Sequence, residues 1–205
     1  MNNPWPLLES IRCEDESFPL LHLHQHRVKE AFRMLWPKAP VPDLYEHIQR
    51  FSIPQKGLFK CRILYGTSLC EPEYLPYAIN PPRKLQLARA DDLDYSLKWA
   101  DRRQLNLLFS QRGACDDVLI VRGGLITDTT YCNIAFLRNG IWFTPAEPLL
   151  QGVRRKQLID NNIISPTTIT PDQIIKFTHF KTFNAMIGWD DSPPLPILDI
   201  HFTNL

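Results

Sequence analysis

Four short stretches carry residues whose types and spacing could do chemistry. Lys98 stands between Leu97 and Trp99. An amine flanked by large apolar groups loses solvent, its pKa falls, and it becomes a usable nucleophile or Schiff-base former. The plainer alternative is a solvated surface lysine beside a half-buried tryptophan. Asp128 lies in "GLITDTTYCNIAF" (124–136), within a polar cluster of Thr127, Asp128, Thr129, Thr130, Tyr131 and Asn133. A carboxylate among hydroxyls at the end of a sheet marks a place where sites form. An Asx-turn residue bonding its own backbone would look the same. Gly152-Val153-Arg154-Arg155 puts a glycine at a helix start, where free N–H groups and the dipole favour an anion. Two arginines could add to it, although basic residues at helix starts are common. In "HLHQHR" (22–27), His22, His24 and His26 alternate and fan out over a helix. Helical metal pairs want i, i+4 spacing, so no metal site is expected. His24 and Arg27, at i, i+3, share a face, and Arg27 could serve an anion.

The elements that must position these residues are legible in outline. "PLLESIRC" (6–13) reads as a strand, and "LHLHQHRVKEAFRMLWP" (21–37) as a helix stopped by Pro37, with Val28, Ala31, Phe32 and Leu35 at helical spacing. "GLFKCRILYGTSLC" (57–70) alternates Phe59, Cys61, Ile63 and Tyr65, a strand pattern. "EPEYLPYAINPPRK" (71–84) ends in Pro81-Pro82 and is the expected domain boundary, giving domains 1–82 and 83–205. Beyond it, "KLQLARADD" (84–92) alternates again, and "SLKWADRRQLNLLFSQRGA" (96–114) predicts a helix ending before Gly113, with Lys98 near its start. Residues 116–145 predict a β-meander with hairpin turns at Gly123-Gly124 and Asn139-Gly140. A helix is expected after Gly152 (153–162), and 172–189 predicts a helix followed by a strand or loop. The sum is an α+β chain in two parts, the second richer in strands.

Bulk properties exclude several classes. The chain has 205 residues, 44% hydrophobic and 22% charged, with a net charge of +1. That balance gives no electrostatic reason for nucleic acid or an anionic membrane as partner. No apolar run approaches a membrane span, and the N-terminal stretch has no basic n-region or apolar h-region of a secretory signal. Five cysteines with no C-x-x-C pair argue against a disulfide framework or zinc site and for a reducing, cytoplasmic setting. Eighteen prolines against eight glycines imply extended segments, fixed turns and few long helices.

Taken in order, these pieces resemble the class IV (fold-type IV) pyridoxal-phosphate enzymes, which include branched-chain aminotransferases, D-amino-acid aminotransferases and aminodeoxychorismate lyases. "LLESIRC" is similar to the family's F-E-x-I-R strand, "HQHRV" to its H-x-x-R-L helix and "LKWADRRQL" to its lysine segment. "DDVLIVRGGLITDTTYCNIAF" and "WFTPAEPLLQGVRRKQL" are similar to its two C-terminal blocks. The resemblance runs from about Leu8 to Gly188. It implies a two-domain D-amino-acid aminotransferase-like fold, with a small N-terminal α/β domain and a larger strand-rich pseudobarrel domain. It also implies pyridoxal 5'-phosphate as cofactor and a homodimer.

Carried over position by position, Lys98 matches the lysine that holds the cofactor covalently and shuttles the proton. Arg27 matches the arginine that grips the phosphate. Gly152, Val153 and Arg154 match the helix start that binds the same phosphate, and Asn184 and Ala185 match further cofactor-binding positions. Asp128 matches the glutamate that pairs with the pyridine nitrogen and keeps it protonated, which makes the ring a better electron sink. There are departures. Asp128 is one methylene shorter than glutamate, Asp101 replaces asparagine, Arg154 replaces a small threonine, and Ala185 replaces a Thr or Ser. The chain also begins almost at the F-E-x-I-R-like strand. The leading strand and loop that help shape the substrate pocket in most members are not expected, so specificity is the least transferable property.

Two details favour the lyase branch. Arg102 follows Asp101 as Arg follows Asn in aminodeoxychorismate lyases, and "FNAMIGW" is similar to their N-A-L-M motif. The expected reaction converts 4-amino-4-deoxychorismate to 4-aminobenzoate and pyruvate in folate biosynthesis. Arg102 could attract a substrate carboxylate or could be a helix-surface arginine. The alternatives are an aminotransferase acting on branched-chain or D-amino acids and a degenerate homologue that binds the cofactor without turnover.

Overall fold

The computed structural model describes residues 6–202, and the chain divides into two compact units. The first comprises the stretch up to Ile79 together with Leu97–Asp101; the second comprises Asn80–Ser96 and everything from Arg102 onward. The sequence boundary placed all of 83–205 in one domain, but Leu97–Asp101, with Lys98 inside it, belongs to the first unit.

In the first unit, β1 (Leu7–Glu14) leads to helix α1 (Leu21–Leu35), a one-turn helix α2 (Leu44–Ile48) and strands β2 (Leu58–Tyr65) and β3 (Glu73–Pro76). The three strands form an antiparallel sheet in the order β1-β2-β3, with Leu7 opposite Tyr65 and Glu14 opposite Leu58. The period-2 alternation of a strand turns Leu7, Ile11 and Cys13 to one face. There they join Val28, Ala31 and Phe32 of α1 and Cys61, Ile63 and Tyr65 of β2 in a buried core. Position 9 belongs to the same inward series, so Glu9 enters that core as its one carboxylate on β1.

The expected helix over 96–114 is overturned at its beginning. Helix α3 spans only Arg103–Phe109 and continues as a short 3₁₀ turn to Arg112. Lys98 precedes it in an extended segment bonded to β1: Leu8 N–H donates to Lys98 O (3.0 Å), and Ala100 N–H donates to Pro6 O (2.8 Å).

The second unit contains β4 (Leu85–Arg89), α3, β5 (Asp117–Arg122), β6 (Leu125–Thr129), β7 (Asn133–Arg138), β8 (Ile141–Pro145), helix α4 (Val153–Asp160), β9 (Ser165–Thr167), β10 (His179–Phe183), β11 (Leu195–Pro196) and β12 (Ile200–His201). The turns at Gly123-Gly124 and Asn139-Gly140 form as expected, all four residues at positive φ, the region that glycine and asparagine tolerate best. The predicted meander, however, is split. Strands β5 and β6 lie in a four-stranded sheet ordered β12-β4-β5-β6, whereas β7 and β8 lie in a five-stranded sheet ordered β11-β10-β7-β8-β9. The chain changes sheets at Thr130–Cys132, and one core holds Leu119, Val121 and Ile126 from the first sheet with Ile134, Phe136 and Phe180 from the second. Residues 172–189 form a 3₁₀ turn (Pro171–Lys176) followed by β10, not an α-helix.

Candidate functional site

The sheet-changing turn gathers the polar residues of the second unit. Asp128 is the penultimate residue of β6 and is 4% exposed. Both of its oxygens are engaged: Asn133 Nδ2 donates to Oδ1 (2.8 Å) and the Leu150 N–H donates to Oδ2 (3.0 Å). Burial pushes its carboxyl up to about 6, although the Leu150 N–H, the Asn133 amide and the charge of Arg155 all pull it down. Its hydrogen-bond donors are neutral, so they compensate only part of the desolvation of the charged form. Each carboxylate oxygen keeps acceptor capacity beyond the bond it makes.

Asn133 opens β7 and ties this carboxylate to the approach of α4. Its Nδ2 also donates to Leu150 O (3.0 Å). Its Oδ1 lies where a side chain on Gly152 would begin: a Cβ there would stand 1.9 Å from it. Gly152 has an ordinary extended φ of −68°, so the requirement for glycine is one of close approach. Gly152 is the N-cap of α4, no side chain caps that end, and its first turn carries no acidic residue. The first N–H groups of a helix have no intrahelical acceptor, and with the dipole they form an anion-binding end.

The two arginines that follow go different ways. Arg154 Nη1 donates to Gln157 Oε1 (2.6 Å). Arg155 is 5% exposed, donates to Gln151 Oε1 and Pro145 O (both 2.8 Å), and is the cation whose charge reaches Asp128. Sequence reasoning grouped Arg155 only with the anion site at the helix start and missed its inward turn. The signal was its place three residues before Leu158, an apolar position on the same helix face whose side chain is also buried.

The turn 130–132 is fixed from three sides. Thr130 Oγ1 donates to buried Asp117 (2.7 Å), whose carboxyl is raised by burial against the Thr130 and Val118 bonds. Arg102 Nη2 donates to Thr130 O (2.7 Å), and its guanidinium lies 4.5 Å from the Tyr131 ring centroid. Asn184 Nδ2 donates to Tyr131 O (3.2 Å), while its Oδ1 accepts the N–H groups of Met186 and Ile187 (2.8 and 2.9 Å). Thus Arg102, readable in sequence either as a substrate contact or as a helix-surface arginine, bonds the turn before Asn133. Asn184 spends its amide on folding the 184–187 turn, whose half-buried corner is Ala185.

In the first unit, Arg27 does not stand alone. Its Nε donates to Glu9 Oε1 (2.9 Å) and its Nη2 to Glu9 Oε2 (2.5 Å); His24 Nδ1 lies 2.5 Å from the same Oε2. Burial pushes Glu9 up, but Arg27 and His24 more than offset it and hold the carboxyl at about 2. His24 is fully buried, and burial lowers its pKa despite Glu9. Its Nδ1 faces Glu9. His22 and His26 are exposed, so the histidine run disperses as its spacing implied. Glu9 was missed in sequence, although a carboxylate inside the apolar series Leu7, Ile11, Cys13 was a readable signal. Lys98 is half-buried. Among the described residues, no group of three or more His, Cys, Asp or Glu is placed to hold a metal, and no helix is long and apolar enough to cross a membrane.

The donor set fits pyridoxal phosphate. A buried carboxylate surrounded by neutral donors suits a cationic ring N–H. In the second unit the uncapped helix start suits a phosphate; in the first unit the Arg27 guanidinium suits the same group, and Lys98 carries an amine of the kind that attaches covalently. Comparison with known proteins agrees. A Haemophilus influenzae protein of uncharacterised function is 36% identical over 186 residues, spanning 90% of this chain and 99% of its own. A crystal structure from Haemophilus somnus 129pt, provisionally assigned as a 4-amino-4-deoxychorismate lyase, is 31% identical with a TM-score of 0.85, covering 92% of this chain and all of its own. A Mycobacterium tuberculosis protein described as a hypothetical aminotransferase, in a pyridoxal phosphate-bound form, shares the fold at 13% identity with a TM-score of 0.74, over 94% of this chain and 81% of its own. Residues 7–190 match the amino-transferase class IV family, so this chain belongs to that family of pyridoxal phosphate-dependent enzymes.

Proposed function

We propose that the chain is a pyridoxal 5'-phosphate-dependent lyase that splits 4-amino-4-deoxychorismate into 4-aminobenzoate and pyruvate. The observation that carries the cofactor half is Asp128: a buried carboxylate, oriented by Asn133 and Leu150 and pushed up to about 6 by its burial. The lyase half is supported by the provisional assignment of the Haemophilus somnus protein and by the Asp101-Arg102 and Asn184-Ala185-Met186 pairings.

Each residue then has a task. Arg27 would grip a phosphate, as would the backbone N–H groups of Val153 and Arg154 after Gly152. Asp128 would hold a proton on the ring nitrogen. When bound, the cofactor supplies an electron sink for the pair left on the substrate carbon. Lys98 Nζ would hold the cofactor covalently and would serve as the base for the proton on that carbon. Pyruvate leaves as its enol and the remaining ring aromatises, so the two products together contain all the atoms of the substrate. Arg102 and Asn184 serve by fixing the 130–132 turn. The same reading carries a homodimer, a cytoplasmic location and a place in folate biosynthesis.

The test is incubation of the protein, loaded with pyridoxal phosphate, with 4-amino-4-deoxychorismate. The expected result is equimolar pyruvate and 4-aminobenzoate, abolished by Lys98→Ala and reduced by roughly 10²-fold or more in Asp128→Asn. Full activity in Asp128→Asn would remove the role assigned to that carboxylate. Amino-acid-dependent formation of pyridoxamine phosphate without pyruvate release would make the chain an aminotransferase. A borohydride-fixable visible band with neither activity would leave only a cofactor-binding homologue.

A further inference from the structure

The first unit contains a buried charged network whose purpose its own packing does not explain. Glu9 lies in the inward series of β1 between Leu7 and Ile11, where the neighbouring positions fill an apolar core. A buried ion pair stabilises weakly compared with an apolar side chain of the same volume. Glu9 nevertheless receives three bonds from α1. Arg27 grips it through Nε (2.9 Å) and Nη2 (2.5 Å), one donor to each carboxylate oxygen, and His24 Nδ1 fixes the second oxygen from one turn earlier (2.5 Å). His24 Nε2 is buried with no hydrogen-bond partner among the described residues, so the imidazole is committed to Glu9 alone.

Exposure separates the three members. The Glu9 and His24 side chains are 0% exposed, while that of Arg27 is 14% exposed. The network therefore meets solvent, and any soluble anion, only through the guanidinium. An arginine on a helix surface ordinarily samples many rotamers, and its fork recognises phosphate only when its plane is set. Here one edge of the fork is pinned from below by a carboxylate that is itself pinned by an imidazole.

We infer that Glu9, held by His24, is the positioning residue that sets the plane of Arg27 for a phosphate group. The inference rests on the reading of Arg27 as the phosphate-gripping arginine. Glu9 contributes geometry and not attraction, since its negative charge opposes that of an incoming phosphate. Orientation and electrostatics thus predict opposite results when the charge on Glu9 is removed.

The experiment compares equilibrium binding of pyridoxal 5'-phosphate with that of pyridoxal, which lacks the phosphate, by dialysis and absorbance. Wild type, Arg27→Ala, Arg27→Lys and Glu9→Gln are measured side by side, and the readout is the preference for the phosphorylated ligand. The expected result is that Arg27→Ala and Glu9→Gln each reduce this preference by roughly tenfold or more. An equal loss for both ligands in Glu9→Gln marks a merely structural role, and an increased preference marks a purely electrostatic one; either overturns the inference. An unchanged preference in Arg27→Ala overturns the phosphate reading itself, and the inference with it. Should Glu9→Gln fail to fold, Arg27→Lys decides, because it keeps the charge without the fork. Loss of the preference supports positioning, and its full retention overturns it.

Discussion

The two units each bury a carboxylate on a strand, and the two carboxylates behave in opposite ways. Glu9 is 0% exposed and held at about 2; Asp128 is 4% exposed and pushed up to about 6. Burial acts on both in the same direction. The difference is the partner. Glu9 has a guanidinium on both oxygens, whereas Asp128 has an amide and a backbone N–H, with the charge of Arg155 acting only from further away. A carboxylate already neutralised has little to gain from another cation. One surrounded by neutral donors has much to gain. Under the proposed function, the second would be the binding group and the first scaffolding for its arginine.

The sharpest way to break the comparison is to delete Glu9. Glu9→Ala leaves Arg27 and His24 facing an empty apolar space, and urea unfolding is expected to show a loss of about 3–5 kcal/mol. A loss within experimental error would mean that the pair contributes no more than a surface bridge. Next comes the pH dependence of the unloaded protein, where the two groups differ in sign. The Asp128 carboxyl moves from 3.8 to about 6 on folding. Between those values the folded chain holds a proton that the unfolded chain has lost. Stability is therefore full below about pH 4 and falls by about 3 kcal/mol as pH rises through about 6. Glu9 moves from 4.5 to about 2. Its contribution is present above pH 4.5 and is lost as pH falls toward 2. Urea midpoints against pH should lose the first limb in Asp128→Asn and keep the second; an unaltered first limb would reassign it to another group.

Smaller effects refine the picture. Gly152→Ala forces Asn133 aside and loosens Asp128, with an expected cost of about 1–3 kcal/mol in thermal unfolding; an unperturbed Tm would show that Asn133 has another place to go. Smallest of all, Asp128→Asn in the unloaded protein should change stability at neutral pH by no more than about 1 kcal/mol, because the relieved burial of charge offsets one lost acceptor. A cost approaching that of Glu9→Ala would erase the distinction between the two carboxylates.

Local pattern made much of this legible. The alternation in "LLESIRC" and the spacing of Val28, Ala31 and Phe32 placed β1 and α1, and the paired turn residues 123–124 and 139–140 placed two hairpins. What failed was non-local. The stretch around Lys98 looks helical by itself, but the backbone of β1 recruits it through Leu8 and Pro6, 90 and 94 positions before their partners. The 116–145 segment has the strands of a meander, yet its sheet change at 130–132 depends on Asp117, Arg102 and Asn184, each distant in sequence. Residue types identified Asp128, Arg27 and Lys98 as candidates. The partners of the first two, Asn133 and Glu9, show their places only once strand faces and turns are set. The two arginines after Gly152 have the same composition and opposite fates, which helix phase decides.

The short excursion of Leu97–Asp101 has a consequence for how the molecule can be dissected. The chain passes from one unit to the other three times, after Ile79, after Ser96 and after Asp101. Neither unit is thus a single uninterrupted stretch, and a stop codon placed after Ile79 would not yield a clean half. It would discard the segment that bonds to Pro6 and Leu8 and bare the outer edge of β1, an open row of donors and acceptors that invites pairing between chains. The first unit, expressed without those five residues, should be recovered as aggregate rather than as an autonomous module.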